Sequence, residues 1–435
     1  MKPHLLLDIT CLGLGFDRPS TRRGVERQVM CLFSELRNSK FCETSFVATS
    51  SLAGTVDFLI SQGVDPAEKL RYVPAQLSRS RAARRLLAGI HRSQGDRRLP
   101  ARLVRRLRAM MVARLTRNEG RLAPEFLDGV DIYHTPHTPF PLPPFPEVVQ
   151  QRPGLKRFVT IHDLWPYTHP SLYGLDPRRT GPEFDLMQKC FTGDTFAFCM
   201  SRSVKEDVIK NTQIRPERIF LAAPAADPEL FFPVTDPRGR AEVLRGLGIP
   251  DAPYFLALSV PERHKNFSLV VRCLGALAQS GRMSIGNVVI AGRDAAKNED
   301  IRAALKENPG LEGHVFMPGY VPDEKLAALY SGATAFLFPS VAEGFGLPPL
   351  EAMQCGTPVI ASNTTAIPEV VGDAGILLSP TDVDGWCQAM IEVSGNPALR
   401  AGLVAGSIAR ARLFSWDRYM TAILAGYEAA LKLKD

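Results

Sequence analysis

Two glutamates, Glu343 and Glu351, stand in the run FPSVAEGFGLPPLEAMQCGTPVIAS, residues 338–362. Carboxylates at that spacing accept hydrogen bonds from two different hydroxyl-bearing parts of one ligand. Between them, Gly344-Phe345-Gly346 removes Cβ obstacles and lets main-chain amides come close to a ligand. Leu347 follows, and Pro348 or Pro349 suits a first helical turn. The run therefore reads strand, loop, helix, strand. It aims a helix N-terminus, with unsatisfied N–H groups, at an anion such as a diphosphate. A second cluster, LSVPERHKNFS (258–268), sets Arg263, His264, Lys265 and Asn266 after another apolar strand. Cations placed there suit an anionic group of a ligand. A third, FVTIHDLWPYTHP (158–170), ends a strand at Ile161 and puts His162-Asp163 in the loop. DIYHTPHTPFP (131–141) offers His134 and His137, and His134 reads as structural. Each cluster also has a plain reading as a capped helix, a strand-end histidine or a solvated turn.

These residues need a frame that brings strand ends together. Short apolar strands are expected at Leu5–Thr10, Thr44–Ala48, Ile132–His134, Arg157–Ile161, Phe196–Met200 and Arg218–Leu221, with helices between them. One helix is expected at about Val25–Leu36, and another at Ser203–Lys210 with Ser203 as N-cap and Glu206 at the capping-box position. A turn-rich stretch, Phe232–Gly239, interrupts the alternation. It restarts with strands at Tyr254–Ser259, Asn287–Ala291, Val315–Met317, Ala335–Phe338 and Pro358–Ala361. Helices are expected near Phe267–Gln279, Asp323–Ser331 and Pro349–Gln354, and a last amphipathic helix at Trp416–Lys432. Such alternation predicts an α/β protein of two Rossmann-like domains, residues 1–235 and 236–415, followed by a C-terminal helix, 416–435, that returns to the first domain. Ligands of parallel sheets bind off the carboxyl ends of strands, so the cleft between the domains is the place to look.

The chain's 435 residues suit two domains, and 45% apolar content gives each a core. The eight cysteines form no C-x-x-C pair and read as reduced core thiols of a cytoplasmic protein. The first residues, MKPHLLLDIT, are too short in apolar run for a secretory signal, and no stretch approaches a membrane span. Asp382-Val383-Asp384 reads as a helix cap and not as a metal motif.

Glu343 and Glu351 together with PSVAEGFGLPPLEAM, CGTPVIAS and IPEVVGDAG (367–375) resemble the E-x7-E region of retaining glycosyltransferases of family four, which have the GT-B fold. The resemblance covers the second domain well and the first in patches. It implies that Glu343 and the amides of Gly344, Phe345, Gly346 and Leu347 hold the transferred sugar, and that Glu351 holds the nucleotide ribose. It implies a diphosphate clamp at Lys265 and Asn266. The family's arginine position is filled by His264, so either Arg263 takes that role through a shifted loop or His264 takes it weakly. T-I-H-D-L is similar to the family's strand end, where His162 would face the reacting sugar. STRRGVERQV (20–29) resembles the T-G-I-x-R opening of the first helix, with Gly24 letting the backbone approach the donor or acceptor. Met200–Lys205 resembles V-S-x-x-x-K, with Ser201 lining the cleft or capping the helix that follows. Gly13-Leu14-Gly15 is not a dinucleotide fingerprint, because Arg18 and Pro19 follow it.

The resemblance implies a retaining, metal-independent hexosyltransferase with no cofactor. Its donor substrate would be a nucleotide sugar, GDP-mannose as the first expectation and a UDP-hexose otherwise. The acceptor would be a glycan or a lipid-linked glycan in polysaccharide biosynthesis. A sugar-nucleotide epimerase or hydrolase, or a non-catalytic sugar-nucleotide binding protein, stays open on the same architecture. Charge is unevenly spread: the chain is +7, but residues 79–121 alone carry +12 through fourteen arginines against Asp96 and Glu119. Leu103, Leu107, Met110, Met111 and Leu115 recur there at helical spacing, within an insertion of about 77–123. Either the segment docks on an anionic membrane surface or its apolar face packs on the first domain. Nucleic acid is disfavoured, because no aromatics interleave the arginines.

Overall fold

A computed structural model of the chain describes residues 2–12, 24–48, 52–65, 69–70, 124–136, 145–258 and 262–433. The arginine-rich segment 79–121, His137 and the Gly13–Gly15 loop lie outside the described residues.

Two parallel six-stranded sheets organise the molecule. The first comprises β1 (His4–Asp8), β2 (Glu43–Val47), β3 (Ile132–Thr135), β4 (Lys156–Ile161), β5 (Thr195–Cys199) and β6 (Ile219–Leu221), in the order β2-β1-β3-β4-β5-β6. A parallel bridge from Phe46 to Leu70 extends it beyond β2. The second comprises β7 (Tyr254–Leu258), β8 (Asn287–Ala291), β9 (Val315–Gly319), β10 (Ala335–Phe338), β11 (Val359–Ser362) and β12 (Ile376–Leu378), in the order β12-β11-β10-β7-β8-β9. The strands are near-continuous apolar runs because helices cover both faces of each sheet. HLLLD in β1 and AFLF in β10 are buried at every position.

Six helices matter for the site. They are α1 (Gly24–Leu36), α2 (Arg202–Asn211), α3 (Asp323–Gly332), α4 (Leu347–Gln354), α5 (Ile367–Val371) and α6 (Trp416–Lys432). α6 leaves the second sheet and packs on the first: Tyr419, Met420, Ile423, Tyr427 and Ala430 are buried in the first domain's core. At about 1.5–3 kcal/mol for each large apolar side chain buried, this helix belongs energetically to the first domain. Its Tyr427 hydroxyl lies 2.6 Å from His134 Nδ1, and Thr160 Oγ1 lies 2.9 Å from His134 Nε2. His134 is a fully buried structural residue. Asp382 accepts a hydrogen bond from the Gly385 amide at 2.9 Å, so it caps the helix that follows.

One local expectation is corrected. The N-cap of α2 is Ser201, whose Oγ accepts from the Val204 amide at 3.1 Å, and not Ser203. The helix starts earlier than expected because Ser201 is extended while a carboxylate from the other domain serves the next amides, as described below.

Candidate active site

In each sheet the strand order reverses once, and ligands of open parallel sheets bind off the carboxyl ends of the strands at such a point. In the second sheet these strands are β7 and β10. Lys265 follows β7 and Glu343 follows β10, so the topology brings residues far apart in sequence together. Lys265 Nζ donates to Glu343 Oε1 at 2.7 Å, with only 14% and 12% of the two side chains exposed. The lysine also lies over the Phe338 ring.

The loop after β10 has the geometry its glycines demand. Gly346 has φ +107°, a value that side chains with a Cβ disfavour, and Pro348 sits in the first turn of α4. Phe345 turns into the core, edge-on to Phe414. At Gly344 the two domains approach closely, main chain against main chain. A Cβ there would lie 1.9 Å from the His162 carbonyl oxygen and 3.1 Å from Asp163 Cβ. Ser201 Oγ donates to the Gly344 carbonyl oxygen at 2.8 Å. His162, Ser201, Gly344, Glu343 and Lys265 therefore converge from both domains. His162 Nε2 is 3.1 Å from the Pro136 carbonyl oxygen, so this nitrogen carries the hydrogen, and Nδ1 faces the Met200 sulfur.

Glu351 lies on α4 at 6% exposure. Its Oε1 accepts from Arg27 Nη1 at 2.7 Å and its Oε2 from the Tyr330 hydroxyl at 3.1 Å. Gly24 is the first residue of α1, the helix that carries Arg27. Asn266 adopts φ +53° and donates through Nδ2 to the carbonyl oxygens of Pro339 and Pro380. It ties the β7 loop to the β10 loop.

The two candidates for the arginine position are distinguished by burial. His264 is 3% exposed, and its ring stacks on Tyr173 of the first domain with centroids 4.2 Å apart. Burial, aided by neighbouring Lys265, pushes it down to about 3. His264 is thus neutral at physiological pH and brings no cation to the site. Arg263 is exposed and lines a shallow hollow with Glu262, Asn266, Ser268, Asn298 and Asp300, beside the clamp.

The family model described as "Glycosyl transferases group 1" matches residues 240–408, which include Lys265, Glu343 and Glu351. O-antigen chain mannosyltransferase B of Escherichia coli is 31% identical over 278 residues, covering 63% of this chain and 71% of that protein. The chain is a group 1 glycosyltransferase. A further relative of this glycosyltransferase, the serotype-specific mannosyltransferase WbdA of Escherichia coli, is 29% identical over 282 residues. That match covers 64% of this chain and 34% of WbdA, so the glycosyltransferase spans about a third of that longer relative. The solved structure of Anabaena HepE in complex with UDP and glucose superposes with a TM-score of 0.65 at 13% identity. The superposition covers 98% of this chain and 100% of the other, and it carries the fold, GT-B. Among the described residues no helix of the glycosyltransferase is long and apolar enough to cross a membrane, and no group of three potential metal ligands is present.

Several residues at the glycosyltransferase's cleft were not singled out from sequence. Glu369, at the start of α5, accepts from the Arg202 and Ser203 amides, each at 2.8 Å. A carboxylate of the second domain thereby caps the positive end of a first-domain helix, a favourable charge–dipole contact. Thr365 holds φ +50° and accepts from the Glu343 amide at 3.0 Å. A β-branched residue in that region is strained, a cost of order 1–2 kcal/mol, offset here by fixing the Glu343 loop.

Asp163 faces the same cluster. Burial and the Glu343 carboxylate push it up to about 7, with Lys265 working in the opposite direction. An acid whose folded value exceeds its unfolded value stabilises the fold only while protonated. Stability is therefore lost as pH rises from the ordinary carboxylate range, about 4, through about 7. Asp163→Asn stays neutral throughout. Its melting temperature is expected to exceed that of the wild type by more at pH 8 than at pH 5, measured by differential scanning calorimetry. An equal or reversed gap means that the folded protein carries Asp163 ionised.

Proposed function

We propose that this glycosyltransferase transfers mannose from GDP-mannose, with retention of configuration, to a glycan or lipid-linked glycan acceptor in polysaccharide assembly. The observation that carries the reading is the meeting of Glu343 and Lys265 at the reversal point of the second sheet, under Ser201 and the His162 carbonyl of the first. Glu343 would accept hydroxyls of the mannose, and amides of the Gly344–Leu347 turn would hold its oxygens and the adjoining phosphate. Lys265 and the tip of α4 would neutralise the leaving diphosphate, a role that needs no metal. Glu351 would take the ribose. His162, its ring held by the Pro136 carbonyl and the Met200 sulfur, would form part of the opposite wall of the sugar site. Positioning and charge stabilisation then lower the barrier, and the leaving phosphate oxygen accepts the acceptor's proton on the face it departs from. The mannosyltransferase relatives support the sugar and the polymer context, while HepE's bound UDP keeps UDP-hexoses in the comparison.

Asp163 favours one rival. A carboxyl titrating near neutrality beside the donor loop has the properties of a general base, and base-assisted attack from the far face would invert the anomeric centre. The deciding experiment incubates the enzyme with labelled GDP-mannose, UDP-glucose and UDP-galactose, mannose-terminated and lipid-linked acceptors, and EDTA. Transfer from GDP-mannose with an α-linkage by NMR, insensitive to EDTA, is the expected outcome. A β-linked product transfers the mechanism to Asp163, and free or isomerised sugar without transfer removes the proposal.

A further inference from the structure

Arg27 belongs to the first domain, yet both arms of its guanidinium are committed to the second. Nη1 donates to Glu351 Oε1 at 2.7 Å and Nη2 to Asp323 Oδ2 at 3.0 Å. The group lies 5.1 Å from the Phe231 ring centroid, in the segment joining the two sheets. Glu351 is buried, and the titratable groups facing it are Arg27 from α1, Asp323 and Tyr330 from α3, and Cys355 at the end of α4. A carboxylate has about four acceptor sites, and Arg27 and Tyr330 use two. The other two suit a vicinal diol.

We infer that Arg27 is a positioning residue that holds the Glu351 carboxylate, from across the cleft, as an acceptor pair for the ribose diol of the donor nucleotide. The inference rests on the ribose role proposed above for Glu351. Its physical basis is the mismatch between a buried carboxylate and its surroundings. Burial drives Glu351 toward its neutral form, and the Arg27 charge opposes that drive. Protonated Glu351 offers fewer acceptor sites and a hydrogen the diol does not need. Tyr330 cannot substitute for the cation, because a hydroxyl supplies one hydrogen bond and no charge. Asp323 works against ionisation of Glu351 and is itself tied to Arg27. The contact also links two events. Arg27 reaches Glu351 only when the first domain is docked on the second, so ribose affinity rises as the cleft closes.

The test is isothermal titration of the full chain with GDP, UDP and their 2′-deoxy counterparts between pH 5 and 8. Wild type, Arg27→Gln, Arg27→Lys and Glu351→Gln are compared. In wild type, losing one hydroxyl partner of a charged acceptor weakens binding about tenfold or more. In Arg27→Gln the ribo-to-deoxy preference is expected to shrink toward unity at neutral pH. The acid limb of ribonucleotide affinity moves to higher pH, because Glu351 without its cation protonates more readily. Arg27→Lys restores part of the preference through charge alone, and it carries the test if the glutamine variant does not fold. A merely structural Arg27 would lower the melting temperature and the active fraction, and would leave both the preference and the pH limb where they were. That outcome, with Glu351→Gln having lost the preference, overturns the inference and leaves the ribose reading intact. If Glu351→Gln keeps the full preference, the ribose reading itself falls.

Discussion

Lys265→Ala is expected to lower kcat by about 10²–10³-fold, the range found when one preorganised charge-stabilising group is removed from a transition state. The size follows from what the site holds besides this cation. His264, next in line, is buried and neutral, and Arg263 is exposed in the hollow beside the cluster, without a contact to Glu343. Arg263→Ala is therefore expected to turn over near the wild-type rate. The same substitution has a second signature. Lys265 is the counter-ion of Glu343 at 2.7 Å and opposes the burial that pushes Asp163 up. Without it, two carboxylates face each other in a half-buried crevice. Their ionisation then costs folding free energy, so the melting temperature of the variant falls further below wild type at pH 8 than at pH 5.5. Single-turnover rates give the first quantity and calorimetry at two pH values the second. A turnover loss below tenfold, or a stability deficit that does not grow with pH, would mean that another cation supports the diphosphate and that the pair at Glu343 is incidental.

The strands, their order of appearance and the loops that carry Glu343, Lys265 and His162 were readable because local signals agree there. Apolar runs end in Gly, Pro and charged residues, and the strand reversal does the rest. Asn287–Ala291 and Ala335–Phe338 coincide with their expected bounds. The three-residue edge strand Ile376–Leu378 was not read, since so short a half-buried run has no distinguishing period. Most of what stayed hidden at the site depends on contacts between the domains. Arg27 and Glu351 are 324 positions apart, and Glu369 reaches amides 166 and 167 positions away. Ser203 looked like a cap because Glu206 follows it at the capping-box spacing. The cap is Ser201, and the amides of Arg202 and Ser203 are served by Glu369 instead. His264 is the clearest case. Between Arg263 and Lys265 it has the sequence context of a solvated basic turn, whereas the structure buries it, with the Tyr173 ring of the first domain stacked on it, and that burial together with Lys265 keeps it neutral. No pattern within ten residues of His264 encodes that burial.

Gly344→Ala is expected to abolish turnover while leaving each domain folded. The added Cβ would stand 1.9 Å from the His162 carbonyl oxygen, a distance no relaxation of a side chain can relieve, because the atom it meets is main chain. Gly344 itself is not in the left-handed region, so alanine there carries little intrinsic backbone cost. The main penalty falls on closure, through the clash with the His162 carbonyl. Separating the loops would break the Ser201–Gly344 hydrogen bond and loosen the Glu369 clamp on α2, both of which bridge the domains at 2.8 Å. A displacement of about 1 Å in the reacting groups can cost 10²-fold in rate, and closure displaced by a whole methyl group costs at least that. Lys265 and Glu343 both lie in the second domain, so nucleoside diphosphate should still raise the melting temperature of the variant, although by less than in wild type if Arg27 supports Glu351. Small-angle scattering with saturating GDP completes the measurement. Wild type is expected to contract on binding, and Gly344→Ala is expected to stay expanded. A variant that contracts and turns over like wild type would show that the donor is processed with the two loops apart, and that the close approach of Gly344 to His162 is a resting contact outside the catalytic cycle.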